Sequence, residues 1–204
     1  MLATEHWSLL ASRSTTQSEV LTRIAIFLTL VSAGLVTLGV LGNATGFSGW
    51  FGVAALGILF LLVLLGLITQ LRVFNTAQED LAYVLAMNRL RAAYVDLDPG
   101  IRPYLMMGTT DDLRGSQQTY YPFAARDRSQ VFASSMVLIL VVHAALAGLF
   151  LGALAYTLTA SVGLSIGVGV VVAVASFVGW MVWGYRGYRA VWRLHQPLRA
   201  SAER

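Results

Sequence analysis

Three histidines, His6, His143 and His195, are the side chains best suited to proton transfer or metal ligation, and they lie far apart in the chain. None stands at metal-ligand spacing from another histidine or a carboxylate. The carboxylates include two close pairs, Asp96 with Asp98 around a Pro-Gly turn and Asp111 with Asp112 on a loop. Such pairs can divide acid and base roles, but helix capping and solvation explain them more simply here. Cysteine is absent, which excludes a thiolate metal site, a disulfide framework and a cysteine nucleophile. No Gly-rich phosphate loop, HExxH or GxSxG pattern occurs. These residues point away from an enzyme and call for no cofactor and no metal.

His143 is the one ionisable residue deep within an apolar run. Ionisable groups at membrane depth tend to face a bundle interior or water and to carry function, and a histidine titrates near neutrality. Two readings are open: a pore or proton element, or a structural histidine satisfied by a neighbour. Thr29, Ser32 and Thr37 are candidate partners or pore-lining hydroxyls, or they bond to their own helix carbonyls. Small residues recur at four-residue spacing: Ala144, Gly148 and Gly152, then Gly163 with Gly167 and Gly169 with Ala173. That pattern lets membrane helices approach closely, within one hairpin or between subunits.

The elements that must hold these residues are set by hydrophobicity and charge. Of 204 residues, 57% are hydrophobic and only 12% charged, so an ordinary soluble enzyme and a disordered chain are both excluded. No Asp, Glu, Lys or Arg occurs from Ile24 to Leu71 or from Val131 to Tyr185. Each gap is too long for one crossing, which takes about 20 apolar residues. Breaks at Gly42–Gly49 and Leu158–Gly163 divide them. The sequence therefore predicts an all-α polytopic membrane protein with four transmembrane helices in two hairpins, near Val20–Leu41, Trp50–Leu71, Val131–Leu158 and Val162–Tyr185. Its parts are an N-terminal cytoplasmic or interfacial segment (1–16), hairpin 1 (17–71), a cytoplasmic helix and loop (72–130), hairpin 2 (131–185) and a basic tail (186–204).

All fourteen cationic side chains are arginines, and they avoid both inter-helix turns. Arg13 and Arg23 lie toward the N-terminus, seven more between Arg72 and Arg128, and five from Arg186 to Arg204. Four spans place these three regions on one side, and the positive-inside rule makes that side the cytoplasm, with both termini there. The net charge of +4 thus needs no nucleic acid partner. No cleaved signal peptide is expected, because charged residues precede the first apolar run.

Outside the membrane, Leu2, His6, Leu9 and Leu10 give Met1–Ser12 a helical pattern beside Trp7, suited to an interfacial segment or to a helix packed on its neighbours. Ser14–Gln17 reads as a break, and Thr16 with Glu19 as a capping box opening the first membrane helix near Gln17. The second helix should run on to about Asp96, stopped by Asp98-Pro99-Gly100. Its stripe includes Phe74, Leu81, Leu85 and Asn88, a candidate oligomer seam with Asn88 setting register; packing within the monomer is the alternative. Thr109 with Asp112 could cap a short helix. Asp111, Asp112, Arg114, Arg126, Asp127 and Arg128 mix in sign, which suggests a solvated or subunit-contacting surface rather than a phosphate site. Arg186, Arg189 and Arg193 share a helix face with Trp192 nearby, as anionic lipid headgroups would require.

The segments Glu5-His6-Trp7-Ser8-Leu9-Leu10-Ala11-Ser12-Arg13-Ser14, Met87-Asn88-Arg89-Leu90-Arg91-Ala92-Ala93-Tyr94 and Asp96-Leu97-Asp98-Pro99-Gly100-Ile101-Arg102-Pro103-Tyr104-Leu105 resemble those of uncharacterised small four-span bacterial integral membrane proteins of GC-rich organisms. The resemblance implies a multi-pass protein of the bacterial plasma membrane and carries no known chemistry. A looser similarity is to the two-span membrane effectors of nucleotide-signalling defence systems, and it transfers no residue.

The expectation is a homo-oligomeric membrane protein forming a small channel-like, ion-conducting assembly in contact with anionic lipids. Its pore would hold small and hydroxyl residues, with Arg91, Arg102, Arg114, Asp111 and Asp112 shaping the inner mouth. The alternative is a non-conducting scaffold or signalling effector with a partner-binding cytoplasmic helix.

Overall fold

Within a bilayer, backbone polar groups find no water, so a lone apolar span must satisfy them internally as a helix. The computed structural model describes residues 1–123 and 134–202. Its order is α1 (Leu2–Thr45), α2 (Phe51–Leu97), a 3-10 turn (Pro99–Tyr104), α3 (Leu113–Tyr120), α4 (Ser135–Thr159) and α5 (Val162–Leu194). No strand occurs among the described residues. α1, α2, α4 and α5 are long and apolar enough to cross a membrane. The chain is thus an all-α, multi-pass membrane protein with two helical hairpins.

It divides into two compact units. A membrane unit comprises Leu21–Phe74 and Ala133–Tyr185; a polar unit comprises Met1–Val20, Asn75–Phe132 and Arg186–Arg204.

In the membrane unit, one stripe of α1 is buried through Ile24, Phe27 and Val31, and Leu59 and Leu62 answer it on α2. Gly66 of α2 is a crossing point: a Cβ there would lie 3.0 Å from Phe27 and 3.1 Å from His143 Nδ1. The α4–α5 contact is closer still. A Cβ on Gly148 would lie 2.5 Å from the Gly169 carbonyl oxygen, and the Ser165 hydroxyl donates to the Gly152 carbonyl across the pair (2.6 Å). Phe74 stacks on Trp180 (5.9 Å) and meets Trp183 edge-on (5.1 Å). The α1–α2 turn needs the left-handed backbone of Gly46, Phe47 and Gly49.

Several expectations change. No helix break falls at Ser14–Gln17 and no capping box forms at Thr16 and Glu19, because α1 runs unbroken from Leu2. Thr15 instead donates to the Ala11 carbonyl one turn back (3.0 Å), so a hydroxyl that could stop a helix is absorbed by it. Along this stretch Leu2, His6, Leu9, Arg13, Thr16 and Val20 turn inward at alternating spacings of four and three. Trp7 is left 70% exposed. α2 runs past the apolar segment to Leu97, as its stripe predicts. Asp98 caps the following turn, accepting from Gly100 N–H (2.9 Å). The cap of α3 is Asp112, which accepts from Gly115 N–H (2.8 Å); Thr110, not Thr109, supports it by donating to the same carboxylate (3.0 Å). α5 continues nine residues beyond Tyr185. Val131, the expected start of the third span, and Arg126, Asp127 and Arg128 lie outside the described residues.

Candidate functional site

The residues offered for a membrane pore are spent on local structure. Thr29, Ser32 and Thr37 donate to the carbonyls of Ala25 (2.9 Å), Leu28 (3.0 Å) and Ala33 (2.8 Å), one turn back on α1. All three are exposed on the outside of the helix, so they are not partners of His143. That histidine is buried beside the edge of Trp180 (6.2 Å), and its Nδ1 has no hydrogen-bond partner among the described residues. Gln70 on α2 is also buried with both amide atoms unpartnered among those residues. The small residues separate into two sets. Ala144, Gly148 and Gly152 are buried on α4, and Gly169 and Ala173 complete the close α4–α5 approach. Gly163 and Gly167 face open space and contribute nothing to it.

The stripe offered as an oligomer seam packs within the monomer, the alternative reading of it. Phe74, Leu81, Leu85 and Asn88 are all buried within one chain, so none remains for a second copy. The physical reason is that the polar segments fold back onto α2. Asn88 is fully buried. Its Nδ2 donates to the Thr110 carbonyl (2.9 Å), and its Oδ1 accepts from Arg91 (2.7 Å) and Thr119 (2.8 Å). A polar residue in an apolar stripe here fixes a loop rather than a register. Asp80 is a second hub, accepting from Arg13 Nε (2.6 Å), Gln17 (2.8 Å) and the Tyr120 hydroxyl (2.6 Å). Burial and the neighbouring Asp80 carboxylate push the Tyr120 phenol well above its usual range.

The strongest polar construction lies at Asp111, which is 0% exposed and not a solvated loop residue. Its carboxylate accepts from the backbone N–H of Leu198 (2.9 Å) and Arg199 (2.7 Å) and from Arg89 Nε (2.5 Å). His195 Nε2 donates to its carbonyl (2.7 Å), and its own N–H donates to the Arg199 carbonyl (3.1 Å). Asp112 repeats the motif, accepting from Ser201 N–H (2.7 Å) and the Ser201 hydroxyl (3.1 Å). Burial alone would raise both carboxyls, but these donors outweigh it and hold both below the usual carboxylate range. Together they clasp the end of the chain to the 105–120 loop.

Beside the clasp is an open cavity of about 450 Å³, lined by Asp96, Arg102, Thr109, Arg114, Gln118 and Arg199 among others. Arg199 is engaged bidentately by Asp96. The side chains of Arg102 and Arg114 are exposed and form no ion pair or hydrogen bond with any described residue. Arg91, expected with them at an opening, is instead buried on Asn88 and Met107, and burial followed by the Arg13 charge lowers its pKa. On α5, Arg186, Arg189 and Arg193 are exposed; Trp192 is half-buried and packs edge-on against Tyr188 and His195.

Sequence reasoning missed Asp80, Arg89, Tyr120, His195 and Ser201 as parts of this network. Their partners in it lie 22 to 107 positions away, and no local spacing encodes such pairs. Comparison with protein-family models, with curated proteins and with solved structures finds no match for this chain.

Proposed function

We propose that this protein is a non-conducting membrane scaffold or signalling effector whose polar unit binds a ligand or partner, with the two hairpins as its anchor. One observation carries the reading. Three segments far apart in sequence, each adjoining an apolar helix, close into one hydrogen-bonded unit around Asp80, Asn88 and Asp111. At each of these three residues the polar side chain is partnered, which rigidifies the segments it joins. The hydroxyls suited to line a pore are bonded along their own helix, and the seam that would have built a ring is covered by the same chain. The arginine distribution favours the cytoplasm for the polar unit and both termini, and the resemblance to four-span bacterial proteins fits the plasma membrane.

The test is ion flux from liposomes holding the purified protein. Release at the rate of protein-free vesicles, unchanged by His143→Ala, is the expected outcome. Protein-dependent flux that His143→Ala alters would restore the channel.

A further inference from the structure

We propose that the cavity bounded by Arg102, Arg114 and the 199–202 tail is a binding site for a phosphoester anion, which the Arg102 and Arg114 guanidinium groups hold. This deepens the reading of the polar unit as a binding module. The sign-mixing of the loop argues against a phosphate site only while its carboxylates are free to cancel its arginines. They are not free. Asp111 is paired with Arg89 and bonded to the N–H groups of Leu198 and Arg199, Asp112 is bonded to those of Gly115 and Ser201, and neither lines the cavity. Among the described residues, the one carboxylate on the cavity wall is Asp96, and it is occupied by Arg199. That leaves two arginines with no partner among the described residues on one concave wall, from different elements.

Arg102 sits in the 3-10 turn, whose backbone Pro99 and Pro103 stiffen. Arg114 sits in the first turn of α3, fixed by the Asp112 cap. Neither backbone has to reorganise to present its side chain, so little ordering cost attaches to binding. Thr109 and Gln118 add neutral donors on the same wall. Guanidinium groups match phosphate oxygens in planar, two-pronged geometry and are stronger there than neutral donors. A cavity of about 450 Å³ exceeds inorganic phosphate and suits a small organic phosphoester. A lipid headgroup and a soluble phosphorylated metabolite share this chemistry.

The experiment uses the full chain in nanodiscs of phosphatidylcholine and, separately, of phosphatidylcholine with phosphatidylglycerol. Inorganic phosphate and glycerol phosphate are titrated into each at low ionic strength, with binding read by calorimetry and by the thermal transition. The expected result in phosphatidylcholine is saturable binding, weakened about tenfold or more in Arg102→Gln/Arg114→Gln. Arg186→Gln, which removes an exposed charge outside the cavity, should leave affinity unchanged. Equal binding in both lipids identifies a soluble phosphoester as the occupant. Binding that phosphatidylglycerol suppresses identifies the headgroup. No saturable binding in either disc, or a double variant that melts as wild type yet binds phosphate as well, overturns the site. Ion flux with intact phosphate binding would sink the non-conducting reading and leave this site standing.

Discussion

Asp111 shows how a single side chain can decide where a chain end goes. It offers a carboxylate to two backbone N–H groups of the tail and to Arg89 within a site that water does not reach. Asp111→Asn keeps one acceptor but loses the charge and turns an amide donor toward other donors. We expect it to destabilise the tail by about 1–3 kcal/mol, seen as faster hydrogen exchange over residues 195–202 with the membrane helices unchanged. Exchange at the wild-type rate would mean that the clasp contributes nothing. Because Asp111 and Asp112 titrate below ordinary carboxylates, the folded unit binds fewer protons than the unfolded chain in acid. Their contribution is complete above about pH 4 and drains away as pH falls through the folded values. His6 acts in a milder range. Burial, then the positive charge of Arg91, lowers its pKa from 6.5, so the folded unit favours the neutral ring. Stability from this group is full above about 6.5 and is lost progressively below it. Thermal melts should therefore fall from pH 7 to pH 5.5 in wild type and flatten in His6→Gln; an equal slope in both would refute the assignment.

At the scale of the helix, glycine spacing carries information only where a neighbour is close. Gly148 and Gly169 allow α4 and α5 to touch backbone to backbone, which supplies van der Waals contact in a medium without a hydrophobic drive between helices. Gly148→Val should force the pair apart and lower the melting temperature by several degrees, while Gly167→Ala should be neutral or stabilising by up to about 1 kcal/mol through helix propensity. Equal effects at the two positions would show that the close approach does not matter. α5 carries no buried residue, yet its sequence is as apolar as its neighbours', because lipid rather than protein is the solvent for its outer face.

For the molecule as a whole, the decisive statement is topological. The chain lacks cysteine, so single introduced cysteines report position without background. In inverted and right-side-out vesicles, cysteines at Ser48 and Ser161 should label from one face, and those at Ser8, Gln117 and Gln196 from the other. Labelling of Ser48 from the same face as Gln196 would remove the four-span arrangement and, with it, the proposed cytoplasmic location of the polar unit.

Charge depletion and helical periodicity alone set the number of spans, the extension of α2 to Leu97 and the stop at Asp98-Pro99-Gly100. These are local properties, since a span needs only length and apolarity and a helix end needs only its neighbours. The sequence also singled out Asn88, Asp111, Arg102 and Arg114 as unusual, but it assigned them to a seam, a solvated surface and a pore mouth. Their actual surroundings come from Thr110, Thr119, Leu198 and Arg199, brought up from distant positions by the fold. Which polar groups were consumed and which were left facing a cavity was decided only by tertiary packing, because hydrogen-bond partnership depends on distance in space and leaves no period along the chain.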